Sequence, residues 1–354
     1  MTARIPFITA AAFMALISLP FGGLLCGDGS LVAIKENRAL AAFPQSFALA
    51  STTAFTAELD AYLDDHFGFR APLVFAQNMI RVVFLGATPT RPVTTGKEGW
   101  MFLGAPRDIA HQRLLTDDQL VAYTAELKER REAFRRKGID YRVMVIPTSD
   151  GVYTEYWPDG LASMSFNTYD QFLEYAEPQL TGLFVNTKEV LRAHRRHALP
   201  EVGVASSTIY YRYDSHWNSV GAFLGMNLLL SELQAAHPCI VPIPATAFSV
   251  REGEAPETTA DQLALGPWVS EDSHYLSVRE KMIDQCDERI LFIGDSMIEH
   301  SLVEWLQALG YTVAFVHKDA NQSAHEEKIS IFKPSIIIDE RQESRFTTLF
   351  TQHE

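Results

Sequence analysis

Arg289-Ile290-Leu291-Phe292-Ile293-Gly294-Asp295-Ser296-Met297 is the stretch from which the fold of this chain is read. Ile290 to Ile293 form an unbroken apolar run, as expected of a strand covered on both faces. Gly294 permits an abrupt turn, and Asp295 or Ser296 can cap a helix predicted from about Ile298 to Leu309 and closed by Gly310. A serine at the carboxyl end of such a strand stands at the rim of an open α/β sheet, where ligands bind. From these residues alone two readings stay open: a nucleophile on a strand-to-helix turn, or a capping serine in an ordinary loop.

On the amino-terminal side, Thr116-x-x-Gln119 is a capping-box pattern that opens a helix striped by Leu120, Tyr123 and Leu127 and ended by Gly138. Tyr141–Ile146 reads as a core strand stopped by Pro147. Helices are expected over Phe166–Leu180 and Thr187–His197 around a short strand, Leu183–Val185. Ser207–Tyr213 reads as extended, and Asn218 caps an apolar helix running to Ala236. His237–Gln285 is a long connection with room for strands such as Ala247–Val250. On the other side come a strand at Tyr311–Val316, a helix at Ala324–Phe332 and a buried strand at Ile336–Ile338. Strands alternating with helices imply a mainly parallel sheet with helices on both faces.

The formal charge of −14 excludes a non-specific nucleic-acid binder, which needs a basic surface. Ile5–Leu25 is apolar and uncharged, and a bilayer-spanning helix needs about 20 such residues. Arg4 before it predicts a cytoplasmic amino terminus and an exported body. An uncleaved signal anchor is the expectation, with a cleavable signal peptide as the alternative. Residues 1–27 would then be the anchor, 28–115 an exported extension packing on the core, and 116–354 the main domain. Cys239 and Cys286 fall in the exported part, as a disulfide or as two buried thiols. His66 beside Asp64 and Asp65 reads as a solvated helix end, and His194 with His197 among arginines as a basic solvated face. No metal-ligand spacing or phosphate loop is present, so neither metal nor cofactor is expected.

Asp214-Ser215-His216-Trp217 is the second feature of interest. In an extended chain residues i and i+2 point the same way, so Asp214 and His216 would project together. A carboxylate beside an imidazole fixes its tautomer and stabilises its charged form, the task of the acid in a Ser-His-Asp hydrolase. The alternative is a capping aspartate and a histidine packed next to Trp217. Of oxyanion donors, the backbone N–H of Met297 is the geometric default, and Asn321 is a second candidate or else a turn residue.

Gly294-Asp295-Ser296 ahead of a helix resembles the first block of the SGNH hydrolase superfamily. The order, with Asp-x-His-Trp some eighty residues before the serine, resembles the AlgJ/AlgX branch of alginate O-acetyltransferases and its relatives in polysaccharide acetylation. Glu36-Asn37-Arg38, Phe67-Gly68-Phe69-Arg70, Gly96-Lys97-Glu98-Gly99-Trp100-Met101-Phe102, Tyr211-x-x-Asp214 and Lys333-Pro334 with Glu340 are similar to further landmarks of that family. The resemblance implies a three-layer α/β/α SGNH-like domain with a mainly parallel sheet behind an N-terminal transmembrane helix. It implies Ser296 as nucleophile, His216 as base and Asp214 as its orienter. It also implies a polysaccharide acceptor, a membrane-bound O-acyltransferase as partner and acetyl source, and a place on the inner membrane with the catalytic domain in the periplasm. A glycan O-acetylesterase using the same trio and a non-catalytic glycan-binding scaffold are the alternatives.

Overall fold

The structure is a computed structural model that describes residues 4–26, 40–44, 52–85, 93–104, 114–159, 166–256, 258–263 and 265–350. The chain divides into two compact units, residues 1–95 with 257–270, and residues 96–256 with 271–354. The Glu36-Asn37-Arg38 segment lies outside the described residues.

The smaller unit carries helices α1 (Arg4–Cys26), α2 (Thr52–His66) and α3 (Arg70–Met79). Phe69, in the left-handed region at φ 59°, turns the chain from α2 into α3. The amide of Asn78 donates to the Leu263 carbonyl at 2.6 Å and ties the 257–270 segment into this unit. The expected membrane span is not found: among the described residues no helix is long and apolar enough to cross a membrane. The far end of α1 packs on protein instead, where Gly23 is buried against Gly68 and Phe69 and a Cβ on it would meet the Gly68 Cα at 2.8 Å.

The larger unit is built on a five-stranded sheet. Its strands are β1 (Asp140–Ile146), β2 (Phe184–Asn186), β5 (Arg289–Gly294), β6 (Thr312–His317) and β7 (Ile336–Gln342), where β3 (Phe248–Glu254) and β4 (Asp272–Val278) form a separate antiparallel hairpin. The sheet order is β6-β5-β7-β1-β2, and every pairing is parallel. The strand bearing the Gly-Asp-Ser turn is therefore interior, which accounts for its unbroken apolar run. Side chains alternate between two cores. Ile290, Phe292, Ile336 and Ile338 join helix α6 (Ser219–Gln234) on one face. Leu291, Ile293 and Ile337 share the other with helices α4 (Asp117–Arg135) and α5 (Thr168–Ala176). The expected Thr116–Gln119 capping box is present, and a second one, Asn167 with Asp170, opens α5.

Three local expectations change. The helix expected to run to His197 ends at Ala193, and Arg196–Leu199 pairs antiparallel with Val204–Thr208. The Pro200–Val202 turn and Gly203 at φ 88° fold the chain back there. The helix after Ser296 is not continuous: a short turn (Ser296–Ile298) and a π-helical turn (Glu299–Val303) precede helix α7 (Glu304–Leu309). The Met297 carbonyl accepts from the Trp217 indole at 2.7 Å and the Ser301 hydroxyl at 3.2 Å, and such side-chain insertion widens a helical ladder. The long connection holds the β3–β4 hairpin, longer than the short strand expected within it.

Cys239 and Cys286 are joined, with Cα atoms 5.4 Å apart, and the bridge links the chain just after α6 to the approach to β5. Replacing both cysteines by serine is expected to lower unfolding stability by about 2–4 kcal/mol, read as an earlier urea midpoint with a somewhat steeper slope, because the unbridged unfolded chain exposes more surface.

Candidate active site

Two turns meet at the carboxyl end of β5. The first is a loop closed by antiparallel pairing of Tyr210 with Trp217, with the Tyr211 N–H donating to the His216 carbonyl at 3.3 Å and the Asn218 N–H to the Ile209 carbonyl at 3.0 Å. Asn218 then caps α6 by accepting the Val220 and Gly221 N–H groups. Gly225 of α6 leaves room for the Trp217 ring, since a Cβ there would lie 2.6 Å from it. The second turn is Gly294-Asp295-Ser296, where Asp295 caps the helical turn by accepting the Met297 N–H at 3.0 Å. The Trp217 indole bond to the Met297 carbonyl fastens one turn to the other.

This fastening brings three side chains into line. Asp214 is 1% exposed, and its Oδ1 accepts the His216 backbone N–H at 2.8 Å and the Nδ1 of the ring at 2.6 Å. With Nδ1 protonated, His216 Nε2 accepts from the Ser296 hydroxyl at 2.9 Å. Ser296 itself is exposed, so the reacting end of the chain is open. Burial alone would push the His216 pKa down, but the hydrogen bond and charge of Asp214, with the charge of Asp295, outweigh it and hold the pKa above the usual value. Such a chain can draw the proton from a hydroxyl as it attacks a carbonyl, and hold the resulting imidazolium.

The three residues expected together are together; of the two expected oxyanion donors, one is engaged elsewhere in this conformation and the other caps a helix through its acceptor oxygen. The Met297 N–H is held by Asp295 Oδ1, and Asn321 Oδ1 caps helix α8 (Gln322–Phe332) by accepting the Ala324 N–H at 2.9 Å. Among the described residues no group of three or more His, Cys, Asp or Glu is placed to hold a metal ion.

A family described as "SGNH hydrolase-like domain, acetyltransferase AlgX" matches residues 93–328 of the 354. The chain belongs to this AlgX-type family. A curated relative, "Probable alginate O-acetylase AlgJ" of Pseudomonas aeruginosa, is 24% identical over 182 residues, covering 49% of this chain and 41% of the relative. The chain thus spans well under half of that relative's length. Two solved structures share the fold. The O-acetyltransferase domain of Pseudomonas putida AlgJ superposes with TM-score 0.50 at 18% identity, over 72% of this chain and 91% of that one. Bacillus cereus PatB1 with a sulfonyl adduct gives TM-score 0.52 at 10% identity, over 72% and 95%.

Within this AlgX-type domain, two supports of the serine turn were not legible as such. Lys318 is 3% exposed, donates its backbone N–H to the Gly294 carbonyl at 2.8 Å and sets its Nζ 3.8 Å from Asp295 Oδ2. Glu340, from the adjacent strand β7, is fully buried, and its Oε2 accepts the Asp295 N–H at 3.0 Å. The same oxygen lies 2.8 Å from where a Cβ on Gly294 would be, which is why a glycine stands there. Burial first, and the nearby charge of Asp295 second, push the Glu340 pKa up to about 8, against the Asp295 N–H bond and Arg341. Glu340 therefore keeps its proton at neutral pH, where in the unfolded chain it would have lost it near 4.5. The contribution of Glu340 to folding stability falls as pH rises from about 4.5 towards 8, because over that interval the unfolded state releases this proton and the folded state keeps it. Glu340→Gln keeps an oxygen for the Asp295 N–H and cannot ionise. Its melting temperature relative to wild type should rise progressively between pH 5 and pH 8; a constant difference across that interval would count against a neutral Glu340.

Proposed function

We propose that this chain is an exported O-acetyltransferase that moves an acetyl group onto a hydroxyl of a polysaccharide through an acetyl-Ser296 intermediate. The observation that carries the reading is the unbroken Asp214–His216–Ser296 hydrogen-bond chain, with an exposed serine at its end. Membership of the AlgX-type family supports acetyl as the group and a glycan as the acceptor.

In this scheme Ser296 Oγ attacks the acetyl carbonyl of an ester or thioester donor while His216 Nε2 takes the hydroxyl proton. The tetrahedral intermediate collapses, the bond to the donor's leaving group breaks, and His216 returns the proton to that group. A sugar hydroxyl then attacks the acetyl-serine, gives its proton to His216, and leaves as the acetyl ester while Ser296 recovers its proton. Asp214 holds the ring in the tautomer that accepts at Nε2. The Met297 N–H would serve the oxyanion once Asp295 Oδ1 releases it, and the Asn321 amide nitrogen, unused in capping, is a second donor of the right chemistry.

The Cys239–Cys286 bridge supports an oxidising compartment, consistent with export directed by the uncharged segment 5–25 and a periplasmic site of action. A membrane-bound O-acyltransferase delivering acetyl groups to this side is the partner that fits, and association with the inner membrane belongs to the same proposal.

Purified protein given an activated acetyl ester and an oligosaccharide acceptor should produce acetylated sugar. Ser296→Ala and His216→Ala are expected to abolish the transfer, and Asp214→Asn to slow it by roughly 10³–10⁴-fold. Acetate release that no acceptor diverts into sugar ester would make the chain an esterase instead. The reaction should also fail on the acid side as His216 becomes protonated. Asp295→Asn removes a negative charge that favours the imidazolium, so the His216 pKa should drop and the acid limb of kcat/KM move to lower pH. An acid limb unmoved by that change would contradict the assignment of His216 as the titrating base.

A further inference from the structure

We propose that Glu271, at the entry to β4, is a positioning residue for the catalytic pair: its carboxylate fixes the backbone of Arg212 and so sets where Asp214 meets His216. Glu271 acts from outside the triad, so this role rests on the Asp214–His216–Ser296 reading above.

The Tyr210–Trp217 loop carries both members of the pair, and Trp217 fastens its far end to the serine turn. The near end is fastened at Arg212, two residues before Asp214. The Arg212 N–H donates to Glu271 Oε2 at 2.7 Å, and the Arg212 carbonyl accepts the Met101 N–H at 3.0 Å. Both backbone polar groups of this residue are thus taken up by parts of the chain far away in sequence. Glu271 is itself held. Its carbonyl accepts the Ala255 N–H at 2.7 Å, beside the Glu254–Asp272 end of the β3–β4 pairing. The same strand grips the preceding loop residue. The Tyr211 hydroxyl is hydrogen-bonded with Tyr275 and with the buried Ser273, and the Tyr275 hydroxyl donates to the Glu254 carbonyl at 2.6 Å. One hairpin therefore anchors two consecutive residues on the approach to Asp214.

A carboxylate suits this task, because an ionised acceptor makes a stronger bond to a backbone N–H than a neutral one. Burial pushes the Glu271 pKa up, and the N–H and the charge of Arg212 pull against it in favour of the carboxylate. Placement matters because Asp214 Oδ1 serves two donors of His216 at once, the backbone N–H at 2.8 Å and ring Nδ1 at 2.6 Å. A shift of the loop lengthens one or both of these bonds, and a catalytic group misplaced by about 1 Å can cost roughly a hundredfold in rate. Without the Glu271 carboxylate, water can take up the Arg212 N–H but does not fix its position.

The test compares full-length Glu271→Ala, Glu271→Gln and Tyr211→Phe with wild type, in acyl transfer from an activated acetyl ester and in the NMR titration of His216. Glu271→Ala should lower kcat by about tenfold to a hundredfold and leave KM within about twofold. His216 should then titrate at lower pH, because the hydrogen bond and charge of Asp214, with the charge of Asp295, are what hold its pKa up against burial. Glu271→Gln keeps an acceptor for the Arg212 N–H and should recover most of the rate and the wild-type titration. Tyr211→Phe removes the second anchor and should move both readouts in the same direction; it stands in for Glu271→Ala if that variant does not fold. Glu252→Ala, on the neighbouring strand with its side chain in solvent, should move neither. A kcat within twofold of wild type, an unmoved His216 titration, or Glu271→Gln as damaged as Glu271→Ala would overturn the role. The titration is read without turnover, so those results leave Ser296-dependent transfer standing. Transfer that survives Ser296→Ala would instead overturn the catalytic reading and leave the titration shift intact.

Discussion

The hydrogen bond from the Trp217 indole to the Met297 carbonyl is the interaction on which the site depends. The serine sits at the end of an interior strand of the sheet, and the histidine on a loop eighty residues earlier. Nothing in either segment alone sets the distance between them. The indole takes up a carbonyl that a regular helix would use for itself, and the chain after Ser296 passes through a π-helical turn instead of continuing as α-helix. Trp217 also lies between two glycine-dependent contacts with α6, so its ring has little freedom. The aromatic residue next to the catalytic pair thus joins the base-bearing loop to the nucleophile turn, and the 2.9 Å contact between His216 and Ser296 follows from that join.

Much of this was legible in the sequence. Ile290–Ile293 announced an interior strand, and the structure puts a parallel neighbour on each side of it. Asp214 and His216 at i, i+2 announced a pair projecting together, and one carboxylate oxygen contacts both the ring and the backbone of His216. What stayed hidden depends on three-dimensional neighbours. Glu340 read as part of a closing strand; only the β7–β5 pairing sets its carboxyl beneath Gly294 and Asp295. Gly294 read as a turn glycine, whereas the contact that requires it is the crowding of Glu340 and Ile298. The hairpin at Phe248–Val278 was obscured by a proline-bearing connection with weak periodicity. The apolar run near the amino terminus read as a membrane span, whereas among the described residues no helix is long and apolar enough to cross one, and Gly23 lies on Gly68 and Phe69.

The electrostatics divide the acidic groups into two roles. Asp214 and Asp295 act through negative charge, which keeps the imidazolium accessible despite the burial of His216. Glu340 acts as a neutral acceptor, because a third negative charge close to Asp295 is opposed by burial and by repulsion. Lys318, buried beside Asp295, is the compensating cation on that side. One cluster of carboxyl groups thus supplies both the field that tunes the base and an uncharged prop for the nucleophile turn.

The central claim is that Ser296 carries the acyl group in transit. Its most direct test is to quench wild-type protein during turnover of an activated acetyl ester and map the acetylated peptide by mass spectrometry. The account predicts a single acetyl group on Ser296, absent from Ser296→Ala and shortened in lifetime by an acceptor oligosaccharide. Equal labelling of Ser296→Ala, or turnover with no covalent intermediate under conditions where deacylation is rate-limiting, would contradict it.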